Sequence, residues 1–243
     1  MYLYIPVEMC ALAIRNKFIR PFQLYVYLKS TCSGKTKINR VELKTIATTL
    51  GLKSVRTVKN NLKLLLKSNW IGHSKTSGYY FIRGFDKVSK TYDFKCRTAA
   101  RFNTDEILKF KAFITGAVIG KLVNVQRSKG WKTERKKSRS KQINRPFSSY
   151  FPVSNNAIAN ILKISVSTAF QLKKLASKAD YIDVHKNLAP IPISLGHLNH
   201  FKKANEGIAN KIIVRKGIPY IQQPDTVLPK IYFKKRGKKS KHI

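Results

Sequence analysis

The chain has 243 residues, a length that suits one large domain or two small ones. Hydrophobic residues make up 43 % and aromatics 11 %, which excludes a disordered polycation and allows packed cores. Lysine and arginine number 49 against 11 aspartate and glutamate, and the net charge of +38 makes a polyanion the expected partner. Lysines outnumber arginines 36 to 13. That ratio suits point-charge contacts to phosphate, whereas bidentate reading of guanine needs arginine. Cys10, Cys32 and Cys96 are odd in number and far apart, with no C-x-x-C pair, so neither a disulfide framework nor a cysteine zinc site is expected. No run reaches the roughly 18 apolar residues of a membrane helix, and Tyr2, Leu3 and Tyr4 are not the charged start of a signal peptide. A soluble cytoplasmic protein is expected, with no membrane partner.

Residues 1–14 read as a short buried segment in which Pro6 limits any helix. Phe22, Leu24, Tyr25, Leu28 and Cys32 predict a helix over 18–32, ended by Ser33-Gly34. Asn39 is placed to cap a second helix, whose Leu43, Ile46, Ala47 and Leu50 share one face. Gly51 turns the chain, and Ser54 caps a third helix carrying Val58, Leu62 and Leu65. Polar 72–78 followed by Tyr79-Tyr-Phe-Ile82 predicts a β-hairpin after Ile71, with Lys75 at its tip.

Residues 89–103 are mixed and polar and read as a linker. Thr104-Asp105-Glu106 marks the start of a long helix with a broad apolar face from Ile107 to Leu122. From Arg127 to Arg145 the sequence holds nine basic residues against Glu134 alone, and 127–149 reads as a basic insertion. A second helix pair follows Pro152, with Ser154 as cap. Tyr181–Val184 is placed to begin a second hairpin strand, and 211–215 with 218–221 predicts a further hairpin. Residues 234–243 read as a mobile basic tail.

The two helix pairs repeat one pattern. Ile46/Ile158, Ala47/Ala159, Leu50/Leu162 and Leu52/Ile164 are each 112 residues apart. In both, a small alanine lets two helices approach and an apolar residue plugs the turn, which is a helix-turn-helix signature. The second copy has Lys163 in place of Gly51, a residue that disfavours the left-handed turn. Its turn is also one residue shorter, since Ser54 matches Ser165 only after a deletion. In the first copy Lys53, Ser54, Arg56, Thr57, Lys59, Asn60 and Lys63 lie at the N-terminal end or outer face of the third helix. There a recognition helix meets base edges, with arginine for guanine and asparagine for adenine. In the second copy the corresponding polar face is Ser165, Ser167, Thr168, Gln171 and Lys174, suited to hydrogen bonds and methyl contacts. Its alternative use is a dimerisation surface, which would make a homodimer. Lys129, Lys132, Arg135, Lys136, Lys137, Arg139 and Lys141 are expected along phosphates or as a minor-groove arm.

Enzymatic readings fail on residue type. Gly116-x-x-x-Gly120-Lys121-Leu122 has one residue too few for a phosphate loop and a leucine where a hydroxyl is required, so close packing is expected instead. His197-x-x-His200 has no evident third ligand. The few carboxylates form no D-x-D or D-x-x-E group for a two-metal site. Neither catalysis nor a cofactor is expected.

At Ala47, Gly51-Leu52, Thr57-Val58, Leu62, Leu65 and Trp70-Ile71 the chain resembles the winged-helix superfamily, and 104–222 resembles it more loosely. The resemblance implies an α+β, helix-dominated chain of two tandem winged-helix domains, 1–88 and 104–233, which bind double-stranded DNA. Two unequal winged helices with strong positive charge and no ligand domain are similar in arrangement to plasmid and phage replication initiators. In that family the two modules grip successive major-groove faces of an origin repeat. A nucleoid-associated protein that meets the replication machinery is then expected. A transcriptional regulator meeting the transcription machinery is the alternative, and a non-specific architectural or RNA-binding protein a third.

Overall fold

The structure is a computed structural model; it describes residues 1–94, 98–137 and 150–235, with 129–137 described as backbone alone. Arg139, Lys141 and the tail beyond Lys235 lie outside the described residues. The chain is α+β and mainly helical, with short antiparallel sheets.

Strand β1 (Tyr2–Pro6) runs directly into helix α1 (Val7–Arg15). Pro6 does not restrict this helix but stands at its N-cap, where a fixed φ is already suitable and no N–H is missed. Helix α2 (Ile19–Thr31) and strand β2 (Lys35–Thr36) follow. Helix α3 (Arg40–Thr49) opens on a reciprocal cap: the Glu42 amide donates to Asn39 Oδ1 at 2.9 Å, and the Asn39 amide to Glu42 Oε2 at 2.7 Å. Helix α4 (Val55–Lys67) is capped by Ser54, and the hairpin is β3 (Ile71–His73) with β4 (Tyr80–Ile82).

Among the described residues, six helix ends share one device. Lys17, Gly51, Asn69, Asp93, Lys163 and Asp180 adopt positive φ. The residue after each is apolar or aromatic, and its amide donates five residues back: Leu52 to Ala47 at 2.8 Å, Trp70 to Leu65 at 3.0 Å, Ile164 to Ala159 at 3.1 Å, Tyr181 to Ala176 at 3.0 Å. This Schellman closure satisfies end carbonyls while its apolar residue plugs the core. Lys163, unfavourable by residue type, nonetheless takes φ 52°, so the second pair makes the same left-handed closure. Its turn is one residue shorter, as the sequence predicts: Ile164 alone precedes the Ser165 cap where Leu52 and Lys53 precede Ser54.

The stretch expected as a linker, 89–103, carries regular structure among its described residues. It takes in the end of helix α5 (Phe85–Thr91) and strand β5 (Thr98–Asn103). β5 is the centre of a sheet ordered β1-β5-β12, where β12 is Phe233–Lys235; Pro6 pairs with Ala99 on one side, and Phe233 with Ala100 on the other. Lys234 and Lys235, expected in a mobile tail, are therefore strand residues. The start of the long helix also differs: Thr104–Lys109 is a 3-10 turn capped by Asn103, and helix α6 begins at Phe110 and continues to Lys137. The basic run thus starts within a helix rather than in an inserted loop.

The second half contains β6 (Phe151–Pro152), α7 (Asn155–Leu162), α8 (Val166–Lys178), β7 (Ile182–His185), β8 (Leu188–Pro190), α9 (Leu198–Ala204) and α10 (Glu206–Ala209). Then come β9 (Ile212–Arg215), β10 (Ile218–Gln222) and β11 (Thr226–Pro229). The β9–β10 hairpin forms as its sequence predicts. β7 does not turn back on its neighbour; its partners are in β11, with Ile182 opposite Pro229 and His185 opposite Thr226. Beyond it β8 pairs with β10, so a two-segment ribbon replaces a simple hairpin. Ile191, Leu198 and Ile212 give the ribbon's outer end its own small core.

One element order occurs twice. β2-α3-α4-β3-β4 forms a sheet ordered β2-β4-β3, and β6-α7-α8-β7-β11, with the β8-to-β10 segment inserted before β11, a sheet ordered β6-β11-β7. α2 packs on α4, and α6 on α8. Both units draw on one apolar core, which joins Phe22, Trp70 and Leu65 to Phe110, Phe113, Ile158 and Leu172. The expected boundary after residue 88 does not separate them. β1 pairs with β5, α1 packs on α6 and α7, and the Arg15 guanidinium donates to the Ile161 carbonyl at 2.6 and 2.9 Å.

The two turn residues predict opposite effects. Lys163→Gly should raise stability by up to about 1 kcal/mol, and Gly51→Lys should lower it by about 1–2 kcal/mol. Urea unfolding of the two variants checks both signs.

Candidate nucleic-acid interface

Helix α4 is amphipathic, with Val58, Leu62 and Leu65 buried and Arg56, Lys59, Asn60 and Lys63 exposed. Lys53 and Ser54 are exposed just before it. The Ser54 hydroxyl accepts from the Thr57 amide at 3.3 Å and meets Thr57 Oγ1 at 3.2 Å. Ser54 and Thr57 therefore close the helix N-terminus, while the cations and Asn60 extend from its outer face. Lys75 is exposed in the turn of the β3–β4 hairpin, as expected. The hairpin also brings Lys35 and Lys37 over the Tyr79 ring, 5.6 and 4.9 Å from its centroid. Sequence reasoning missed these two, because β2 is too short to announce itself.

Helix α8 repeats this plan with different residues. Ser165 caps it, accepting from the Thr168 amide at 3.2 Å, and its hydroxyl meets those of Ser167 at 3.0 Å and Thr168 at 2.8 Å. Ser167, Thr168, Gln171 and Lys174 are exposed. Between them stand Val166 and Phe170, 48 % and 46 % exposed, which sequence reasoning did not single out. The signal was available: Ala169, Leu172 and Ala176 define the inner stripe, and Phe170 lies about 100° around the helix from Ala169. Neither α4 nor α8 contains a carboxylate. The outer face of α4 is thus cationic, and that of α8 mixes hydroxyls, amide and apolar groups around Lys174 and Lys178.

Lys173 differs from its neighbours. It belongs to the inner stripe of α8 and is 3 % exposed, with its Nζ donating to Asp225 Oδ2 at 2.8 Å and to the Val153 carbonyl at 3.2 Å. This buried pair ties α8 to the segment leading into β11. At the far end of α8 the Tyr181 hydroxyl donates to Glu106 Oε2 at 3.0 Å, and Lys109 donates to Glu106 Oε1 at 2.9 Å. The Lys109 hydrogen bond holds the Glu106 carboxyl below its usual range, while burial, reinforced by that carboxylate, pushes the Tyr181 hydroxyl up. The helix is therefore anchored near its middle and just beyond its C-terminus.

Of the expected phosphate contacts, Lys129, Lys132, Arg135, Lys136 and Lys137 continue the backbone of α6. The described site residues thus lie on or just before α4 and α8, in the β3–β4 turn and along the end of α6. No helix among the described residues is long and apolar enough to cross a membrane. No family model, curated protein or solved structure matches the chain.

Removing one partner of a buried ion pair strands the other. Asp225→Ala is expected to lower unfolding stability by about 3–5 kcal/mol, and Lys173→Met combined with Asp225→Leu to recover most of that loss. Denaturant titration of the single and double variants checks it.

Proposed function

We propose that the protein binds duplex DNA sequence-specifically through two winged-helix modules. The supporting observation is the doubled element order, in which a capped helix free of carboxylates presents an exposed polar face beside a three-stranded sheet. A helix N-terminus with unpaired amides favours anions, and a helix of this diameter fits the major groove. On this reading Arg56 and Asn60 address bases, and Lys53, Lys59, Lys63 and Lys75 address phosphates. In the second module Ser167, Thr168 and Gln171 offer hydrogen bonds, while Val166 and Phe170 suit thymine methyl groups. Lysines from 129 onward add phosphate contacts along the end of α6.

Two unequal modules on one core suit two different contacts on one DNA molecule. That arrangement favours an origin-binding replication initiator of a plasmid, phage or other mobile element. One observation favours a second reading: the exposed Val166 and Phe170 would also serve a homodimer contact, which a transcriptional regulator bound to a palindrome would use.

Binding to a panel of duplexes across a salt series tests the proposal. A preferred site is expected, made of tandem repeats for an initiator or a single palindrome for a dimeric regulator. If affinity for every duplex is equal and falls equally with salt, specific reading is wrong. Arg56→Ala should cost about 1–3 kcal/mol at one base pair and relax preference there. Replacing Lys129, Lys132, Lys136 and Lys137 with glutamine should weaken all duplexes alike, flattening the salt slope by about 0.9 for each phosphate no longer neutralised.

A further inference from the structure

Apart from the two outer helix faces, cations gather in a cleft between β5, α6 and β12. It is open to solvent, has a volume of about 540 Å³, and is lined by Lys121, Arg127 and Lys235, together with Thr98, Asn124 and Phe233. Residues of β5, α6 and β12 thus converge, because β12 pairs with β5 beside α6. No carboxylate is among the described residues that line it. Lys121 is held in place: its Nζ donates to the Thr98 hydroxyl at 2.6 Å, and Thr98 is buried on the central strand. An ammonium has three donors, so one such bond orients the group and leaves others for a ligand.

Among the described residues most lysines, Lys235 included, stand out into solvent, where water and salt screen them, whereas Lys121 is half-buried. In the cleft an anion meets several cations at once, which a lone surface lysine cannot offer. The geometry points to a phosphate-binding site in this cleft, with Lys121 and Lys235 supplying ammonium groups. Asn124 adds an amide, and the half-buried Phe233 ring gives one apolar wall on which a base can rest. The cleft opens to solvent, so a phosphate of either a free nucleotide or the nucleic-acid backbone can reach it. The site uses no residue of α4 or α8, and its nucleotide arm stands whether or not those helices read DNA.

Calorimetry of the full chain with ATP, with inorganic phosphate as competitor, tests one source, and the salt dependence of duplex binding tests the other. The Lys121→Gln/Lys235→Gln pair is compared with Lys87→Gln/Lys203→Gln, which removes the same charge from exposed positions outside the cleft. Loss of ATP affinity by about tenfold or more in the cleft pair, against less than about twofold in the control, identifies a nucleotide site. If both pairs keep ATP affinity but only the cleft pair flattens the duplex salt slope, by roughly 1–2, the ligand is a backbone phosphate. Equal behaviour of the two pairs in both assays overturns the proposal. Lys235→Gln alone, at an exposed position, keeps the test open if loss of Lys121 impairs folding. Arg56→Ala should bind ATP like the parent, so failure of the base-reading role and failure of the cleft are distinguishable.

Discussion

The arrangement of the protein depends on how closely the C-terminal strands approach α6. A Cβ added at Gly116 would lie 2.7 Å from the Tyr181 Cβ and 3.1 Å from Ile231 Cδ1. One added at Gly120 would lie 2.8 Å from Phe233 Cζ and 3.1 Å from the Pro229 Cβ. The Tyr181 Cβ cannot swing aside, so position 116 requires glycine for packing and not for a turn, while a side chain at 120 would have to displace the Phe233 ring. Because the strands can rest on α6 there, β11 reaches the second module and β12 reaches β5 on the same pass. The first and last strands then flank one another's neighbour, and the chain closes on a single main core.

That closure decides how the two modules relate. The sequence pattern suggests two separate units on a linker, but the linker region supplies the central strand, and α1 leaves its own half to pack on α6 and α7. Arg15 on the Ile161 carbonyl, Gln23 on the Ile107 carbonyl and Tyr181 on Glu106 add hydrogen bonds across the join. Two outer helices fixed to one frame hold a set separation, whereas two on a flexible linker sample many. Their faces also differ in chemistry. α4 carries charge, α8 carries hydroxyls and an exposed aromatic ring, and the ribbon beyond α8 has a core of its own.

Local features were legible in the sequence where the physics is local. Asn39, Ser54, Ser154 and Ser165 declare helix starts, and the apolar spacings of α3, α4, α7 and α8 declare their inner faces. Lys173 was legible in principle, since it completes the stripe of Ala169, Leu172 and Ala176, but its partner Asp225 lies far along the chain. Strand β5 was not legible. Thr98-Ala-Ala-Arg-Phe102 has weak strand character, and its pairing comes from residues at the two ends of the chain. The extension of α6 was missed because a run of charge suggests solvent, although lysine, arginine and glutamate are good helix formers. Five of the six left-handed helix ends among the described residues carry residues other than glycine, so only Gly51 announced its turn. At Lys163 the plug formed by Ile164 outweighs the local preference of lysine.

Two DNA-reading helices held by one frame form the central claim, and the spacing of the target tests it most directly. A duplex selected from a random pool should contain two recognition elements, and base pairs can then be inserted between them one at a time. A fixed frame predicts that every insertion weakens binding, including a full turn of about 34 Å, which restores the face of the helix but not the distance. Binding that tolerates insertions, or recovers at a full turn, would contradict a shared frame. A pool that yields no preferred sequence would contradict base reading itself.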